Sequence, residues 1–180
     1  MRRFNSLALV SACLLIGIIT GSAAAVFSAD GNELAEFFAA MSDGAQNGEL
    51  RNSFIRVLIP NLLWPFLIFA FSFSILGIAA VPICVFSKGF LVSYSASAII
   101  RTFGVNGIWF ALISMGIPNL LYFPLLLLVS MTAVKLSLGM EKTQGIHTVR
   151  FAIAAALSAA ISAHQAFIQP RIITWLLNGI

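Results

Sequence analysis

Long apolar runs separated by short polar segments dominate this chain. The runs cover residues 7–27, 57–78, 83–103, 108–138 and 150–168. A helix needs about 20 apolar residues to cross the hydrocarbon core of a bilayer, which is about 30 Å thick. The pattern therefore predicts an all-α, polytopic membrane protein, with one integral membrane domain over residues 1–180 built as a bundle of about five transmembrane helices.

The fourth run, 108–138, is longer than one straight crossing requires. At about 1.5 Å per residue it exceeds the thickness of the hydrocarbon core, and Pro118 and Pro124 interrupt it. Two arrangements fit: one kinked and tilted helix, or a re-entrant piece over 108–116 followed by a spanning helix over 119–137. Both predict a kink or break at Pro118 and Asn119, where freed backbone groups need partners inside the membrane.

Prolines and glycines set the predicted ends of the middle runs. Pro60 and Pro65 fall in the first turns of the second run and predict a bent or frayed start. Gly77 and Pro82 predict a tight reversal between the second and third runs.

The only sizeable polar segment covers residues 29–56. Within it, apolar residues recur with the spacing of a short amphipathic helix that lies at the membrane surface: Leu34, Phe37, Phe38 and Met41. Such a helix either caps the bundle or serves as a docking surface for an external partner.

The first run contains Gly17 and Gly21, a spacing that lets two helices approach closely. The two glycines serve either packing within one monomer or contact with a partner. The run also follows the basic residues Arg2 and Arg3 and ends near 23–25, an alanine triplet, which is the layout of a signal peptide. It is long for a signal peptide, so a retained spanning helix is the preferred interpretation.

The last run is rich in small residues. One row at helical spacing consists of Ala152, Ala156, Ala160 and His164. Such a row favours close packing against another helix, and His164 is interpreted as a neutral hydrogen-bonding residue between helices. Gln165 and Pro170 follow at the end of the run.

Acidic residues are absent between Glu49 and Glu141. Charged residues make up 9% of the chain, against about 25% in a soluble domain. Lys88 and Arg101 lie near the two predicted ends of the third run, so we expect both to snorkel to the interfaces. The lack of carboxylates argues against a proton-coupled transporter, and the lack of a basic block argues against nucleic-acid binding.

The cations set the predicted topology. With the amino terminus in the cytoplasm, five spans leave the carboxyl terminus outside and give a mild excess of cations inside. The inside cations are Arg2, Arg3, Lys88, Lys135, Lys142 and Arg150, and the outside ones are Arg51, Arg56, Arg101 and Arg171.

No catalytic motif is present in the sequence. His147 and His164 fall in different elements without a neighbouring carboxylate or cysteine at ligand spacing, and Cys13 and Cys84 lie in apolar runs. We therefore expect no catalytic residue, no metal and no cofactor. An intramembrane enzyme is the least favoured class.

Several local patterns together resemble the stage II sporulation protein M family. They are Phe86-Ser87-Lys88-Gly89-Phe90, then Gly104 with Gly107, then Pro118-Asn119 followed by Pro124, and finally His164-Gln165 followed by Pro170. They look like the Lys-Gly-Phe, Pro-x-Asn-x-x-x-x-Pro and Glu-Ala-Tyr-x-x-Pro blocks of that family, over about residues 57–177. Gln165 stands where the family usually has Glu.

The resemblance implies a role in engulfment during endospore formation. Members recruit or hold the wall-degrading stage II sporulation proteins D and P at the septal membrane, and they are not hydrolases themselves. The chain is therefore expected to be a non-enzymatic scaffold in the bacterial cell membrane. It contacts the lipid bilayer, and a homo-oligomer is a further possibility. The alternative is a permease or transport subunit, with a path near the Pro118-Asn119 break.

The candidate structural or partner-contact residues share small size, a position at a predicted break, or a place in one of these blocks. They are Gly17, Gly21, Lys88, Gly89, Pro118, Asn119, Pro124, Ala156, Ala160, His164, Gln165 and Pro170.

Overall fold

The computed structural model describes residues 5–27, 50–139 and 144–168, and apart from Asn5 and a bend at Ser74 these are helical or turn. The helices are α1 (Ser6–Phe27), α2 (Leu50–Ser72), α3 (Gly77–Ala111), α4 (Ile117–Ser137) and α5 (Gln144–Ala163). A π-helical turn, Leu112–Gly116, joins α3 to α4, and a second one, His164–Ile168, continues α5. The predicted surface helix within 29–56 lies outside the described residues, as do Pro170 and the segment after it.

Four segments are long and apolar enough to cross a membrane. They are Ser6–Phe27, Phe54–Ser72, Gly77–Val105 and Gly107–Ser137. Large apolar side chains project outward from them, among them Leu15, Ile19, Phe66 and Leu120. Side chains of this kind suit a lipid environment. The structure thus confirms a helical protein, and four of the predicted crossings fall on helices long and apolar enough to span a membrane.

Helix α5 is not among these four segments, yet it runs alongside the whole apolar length of α2. At one end the ring of Phe54 stacks on Phe167, with ring centres 6.0 Å apart. At the other end the ring of Phe69 stacks on Phe151, with ring centres 4.3 Å apart. A helix in this position is long enough to cross with α2, and the fifth crossing stays a prediction.

Two predicted helix boundaries are wrong. Helix α2 begins at Leu50, so Pro60 and Pro65 lie in its interior and not in its first turns. Helix α3 begins at Gly77 and includes Pro82 in its second turn, where the missing backbone N–H leaves the Ile78 carbonyl without its helical donor. The reversal between α2 and α3 therefore falls at residues 73–76.

The main backbone break of the described helices is at Gly104. Its φ of 60° and ψ of −132° are not helical, and they divide α3 into two helical pieces. Glycine tolerates this positive φ because it has no Cβ atom. The break separates the third and fourth spanning segments where the sequence predicted a boundary.

A π-helical turn, Leu112–Gly116, directly precedes α4 and therefore lies next to the predicted break at Pro118. Pro118 cannot donate a backbone hydrogen bond, so the ladder has to change register or find side-chain donors nearby. The Asn119 side-chain nitrogen donates to the Met115 carbonyl over 2.7 Å. Residues 108–116 are helical, and a bend of the helix axis at Pro118 stays a prediction.

Glycines bring α1 and α3 into close backbone contact. A Cβ atom added at Gly17 would overlap the Phe86 carbonyl oxygen, and one added at Gly89 would lie 2.9 Å from the Leu14 carbonyl oxygen. Gly21 packs in the same way, one turn further along α1. The Gly17 and Gly21 face is therefore filled by α3, which leaves no room on it for a partner helix.

Side chains also tie the helix ends together. The Arg101 guanidinium donates to the carbonyl oxygens of Ala25 (3.0 Å) and Val26 (2.8 Å) at the end of α1. The buried His147 places its Nε2 atom 2.9 Å from the Ser72 hydroxyl, which links the start of α5 to the end of α2. These contacts hold neighbouring helices at matching depth.

Candidate functional site: a polar cleft inside the bundle

A polar cleft lies between α2, α3, α4 and the end of α5. Its volume is about 190 Å³, and apolar side chains such as Leu91 and Ile161 complete its walls. Six polar side chains line it: Asn61 from α2, Lys88 and Ser95 from α3, Asn119 and Tyr122 from α4, and Gln165 from the last π-helical turn.

Lys88 lies deep in the bundle. Its side chain is 9% exposed, and its ammonium nitrogen lies 5.0 Å from the centre of the Tyr122 ring. The residue follows Gly77, the start of α3, by 11 positions, which corresponds to about 16 Å along the helix and about half of the hydrocarbon core. The prediction that Lys88 snorkels to an interface is therefore wrong, because α3 begins six residues before the predicted start at residue 83.

Tyr122 donates a hydrogen bond to a backbone carbonyl of α2 that has no helical donor. The carbonyl oxygen of Asn61 would normally accept a hydrogen bond from the backbone N–H of residue 65, but that residue is Pro65, which has none. The Tyr122 hydroxyl donates to this carbonyl over 2.9 Å. One side chain thus satisfies the backbone of α2 and offers its ring face to Lys88.

The amide of Asn61 links α2 to α5. Its Nδ2 atom donates to Gln165 Oε1 over 2.7 Å and to the Ser162 hydroxyl over 3.0 Å. Ser162 is fully buried. Hydrogen bonds of this kind between spanning helices contribute on the order of 1 kcal/mol each, and here they hold one wall of the cleft in place.

The charge on the cleft lining is positive. Lys88 is the only charged side chain that lines it, and the described stretches 5–27, 50–139 and 144–168 contain no Asp or Glu. The cleft is therefore cationic, with neutral amides and hydroxyls around the ammonium group.

Residues 7–169 match the family model of stage II sporulation protein M. This chain belongs to the stage II sporulation protein M family. The match spans all five helices, and it confirms the resemblance drawn from the short sequence blocks. Membership implies a sporulation-related membrane protein. No curated protein and no solved structure matches the chain.

Three of the blocks that identify this family member converge on the cleft. Lys88 comes from the first block, Asn119 from the proline-asparagine block and Gln165 from the last one. They are far apart in the chain and meet only because α3, α4 and α5 pack around one point. The structure thus brings together three residues that the sequence had treated separately.

The other predicted site residues that the structure describes do not line the cleft. Pro118 is buried in the first turn of α4, whereas Pro124 is exposed on the same helix. Gly89 contacts α1 as described above. His164 is half-buried in the π-helical turn, directly before Gln165.

The alanine row of α5 faces outward. Ala152, Ala156 and Ala160 are exposed, whereas Ala154 and Ser158 are buried against the bundle. The inner face of α5 is therefore the one that carries Ser158 and Ser162, and the alanine row is open.

Sequence reasoning missed Asn61, Ser95 and Tyr122. Asn61 was detectable in part, because it is the only amide or charged residue between residues 57 and 87, and such a residue in a spanning helix usually faces protein. Tyr122 and Ser95 have no comparable signal. Their place in the cleft depends on how α3 and α4 are rotated against each other.

Proposed function

We propose that this family member is a non-enzymatic, multi-pass membrane scaffold that recruits peptidoglycan-degrading proteins to the septum during engulfment. Its partners in this proposal are stage II sporulation proteins D and P. Family membership supports a sporulation role, and the four apolar spans support a place in the membrane. The septal location and the recruiting role go beyond these two observations and are proposed here.

The exposed alanine row of α5 is the observation that carries this proposal. Ala152, Ala156 and Ala160 leave a shallow strip beside Val149 and Ile153, which are 59% and 53% exposed. Small side chains let a second helix approach the backbone closely, which is how helices associate inside a bilayer. The membrane anchor of a partner protein is the occupant that we assign to this strip.

The test is a leucine substitution in the strip. In a sporulating host, Ala156→Leu combined with Ala160→Leu is expected to abolish co-purification of proteins D and P and to scatter them from the septum. Ala12→Leu, at an exposed position of α1, is the matched control and should leave both readouts unchanged. Immunoblots of membrane fractions establish that all variants are inserted at equal levels.

Two outcomes would contradict recruitment through this strip. One is retention of proteins D and P by the double leucine variant at normal membrane levels. The other is a double leucine variant that still binds D and P but whose differently tagged copies no longer cross-link to each other. That result would assign the strip to a homo-oligomer. Normal engulfment in a deletion strain would refute the recruiting role as a whole.

A transport subunit is the second candidate, and the polar cleft is the observation that favours it. The π-helical turn Leu112–Gly116 and Asn119 place irregular backbone beside a cavity, an arrangement found at transporter binding sites. Asn119→Leu is then expected to change the uptake or efflux of a solute while the protein still inserts. Unchanged solute fluxes combined with a deletion strain that fails in engulfment would exclude it.

A further inference from the structure

The cleft buries a cation without an anionic partner among the described residues. Lys88 is nine-tenths buried, and its described partner is the ring face of Tyr122. A cation–π contact offsets only a part of the desolvation cost of an ammonium group held at this depth. The structure therefore leaves most of that cost uncompensated.

The neutral side chains around Lys88 have hydrogen-bond donors left over. Gln165 uses its oxygen to accept from Asn61, which leaves its NH₂ group for another partner. Asn119 uses one N–H for the Met115 carbonyl, which leaves the second. Together with the ammonium group, these donors suit a ligand that accepts hydrogen bonds and carries negative charge.

From this arrangement we propose that the cleft binds one oxyanion group, a carboxylate or a phosphate, with Lys88 as its counter-charge and Asn119 and Gln165 as donors. The cleft volume of about 190 Å³ is well above the roughly 10–15 Å³ of such space that one water molecule needs. That space accommodates acetate or phosphate together with a little water. The anion comes either from a small solute or from the headgroup of an anionic lipid.

The low dielectric of the bundle strengthens such an ion pair relative to water. The residue at position 165 decides whether this ion pair needs an external anion, because a carboxylate there would supply the negative charge from within the chain. A Gln165→Glu variant should therefore occupy Lys88 internally and exclude the external anion. This prediction separates a binding site from a lysine that merely fills space.

The experiment measures thermal unfolding of the full chain in nanodiscs of neutral phosphatidylcholine. Acetate or phosphate replaces chloride at constant ionic strength in one arm, and phosphatidylglycerol replaces part of the neutral lipid in the other. We expect the unfolding temperature to rise and saturate with the anion, as it does when a ligand binds only the folded state. The arm that shows the rise identifies the source of the oxyanion.

The variants decide whether the rise comes from the cleft. Lys88→Met and Gln165→Glu should each weaken the apparent affinity by about tenfold or more, and Gln165→Glu should also unfold at a higher temperature without any ligand. Lys135→Met, in the last turn of α4, is the control and should keep the full rise. An equal rise in Lys88→Met, full anion dependence in Gln165→Glu, or no rise in either arm with the unsubstituted chain would overturn the proposal. None of these results depends on proteins D and P, so the recruiting role is judged separately.

Discussion

The side-chain amide of Asn61 donates a hydrogen bond of 2.7 Å to the side-chain oxygen of Gln165, and so joins α2 to the end of α5. The first of these residues is the only amide between residues 57 and 87, and the second belongs to a block typical of the family. Their contact closes one wall of the cleft.

Breaking this pair is expected to loosen α5 from α2. Asn61→Leu and Gln165→Leu should each lower the free energy of unfolding by about 1–2 kcal/mol, and the double variant should cost less than the sum. Denaturant titration in mixed micelles measures the three changes. Strictly additive effects would show that the two amides do not interact.

The Tyr122 hydroxyl is expected to stabilise the fold, because Pro65 leaves the Asn61 carbonyl without a backbone donor. Tyr122→Phe leaves the Asn61 carbonyl without its donor, and we expect a loss of about 1–3 kcal/mol in the free energy of unfolding. In a Pro65→Ala background the backbone N–H of residue 65 is restored, so the same Tyr122→Phe change should cost clearly less. Equal cost in both backgrounds would contradict this assignment of the hydroxyl.

The packing between α1 and α3 is too close to accommodate one added methyl group. Gly17→Ala would place a Cβ atom against the Phe86 carbonyl oxygen, so we expect a destabilisation of about 1–3 kcal/mol, typical of overpacking. Gly145→Ala is the matched control, since a Cβ atom there meets nothing within 4 Å, and it should be neutral or slightly stabilising. Thermal unfolding of both variants in the same detergent compares them directly, and equal stability would refute the close contact.

A fifth crossing by α5 predicts an external carboxyl terminus. A pair of topology reporters fused after Ile180 should show the enzyme that works outside the cell as active and the cytoplasmic one as inactive. Fusions after residue 74, in the turn between α2 and α3, provide the internal reference with the opposite pattern. A cytoplasmic signal after Ile180 would place α5 on the membrane surface or reverse the topology.

Much of the fold could be predicted from the sequence because the bilayer imposes strong local rules. Apolar runs of sufficient length predicted the helices, and Gly104 with Gly107 marked the boundary between the third and fourth spans. The helix starts were harder, since proline is tolerated both in the first turn and inside a spanning helix when a side chain such as Tyr122 satisfies the freed carbonyl. Lys88 was misplaced for this reason.

The candidate site was predicted only in fragments. Asn119, Lys88 and Gln165 were each noted, but as a break, an anchor and a departure from the family pattern. The sequence also could not tell which row of α5 faces the bundle, because alanine and serine both suit close helix packing. The structure buries the row with Ser158 and leaves the row with Ala156 exposed.

The sequence by itself determined that this protein is helical, has helices apolar enough to span a membrane and belongs to its family, because hydropathy, helix length and short motifs are properties of one segment at a time. Only the tertiary structure decided that Lys88, Asn119 and Gln165 share one cationic cleft and that the glycine face of α1 is filled by α3. Those facts depend on the depth and rotation of each helix against its neighbours. Depth and rotation follow from packing between segments that are far apart in the chain.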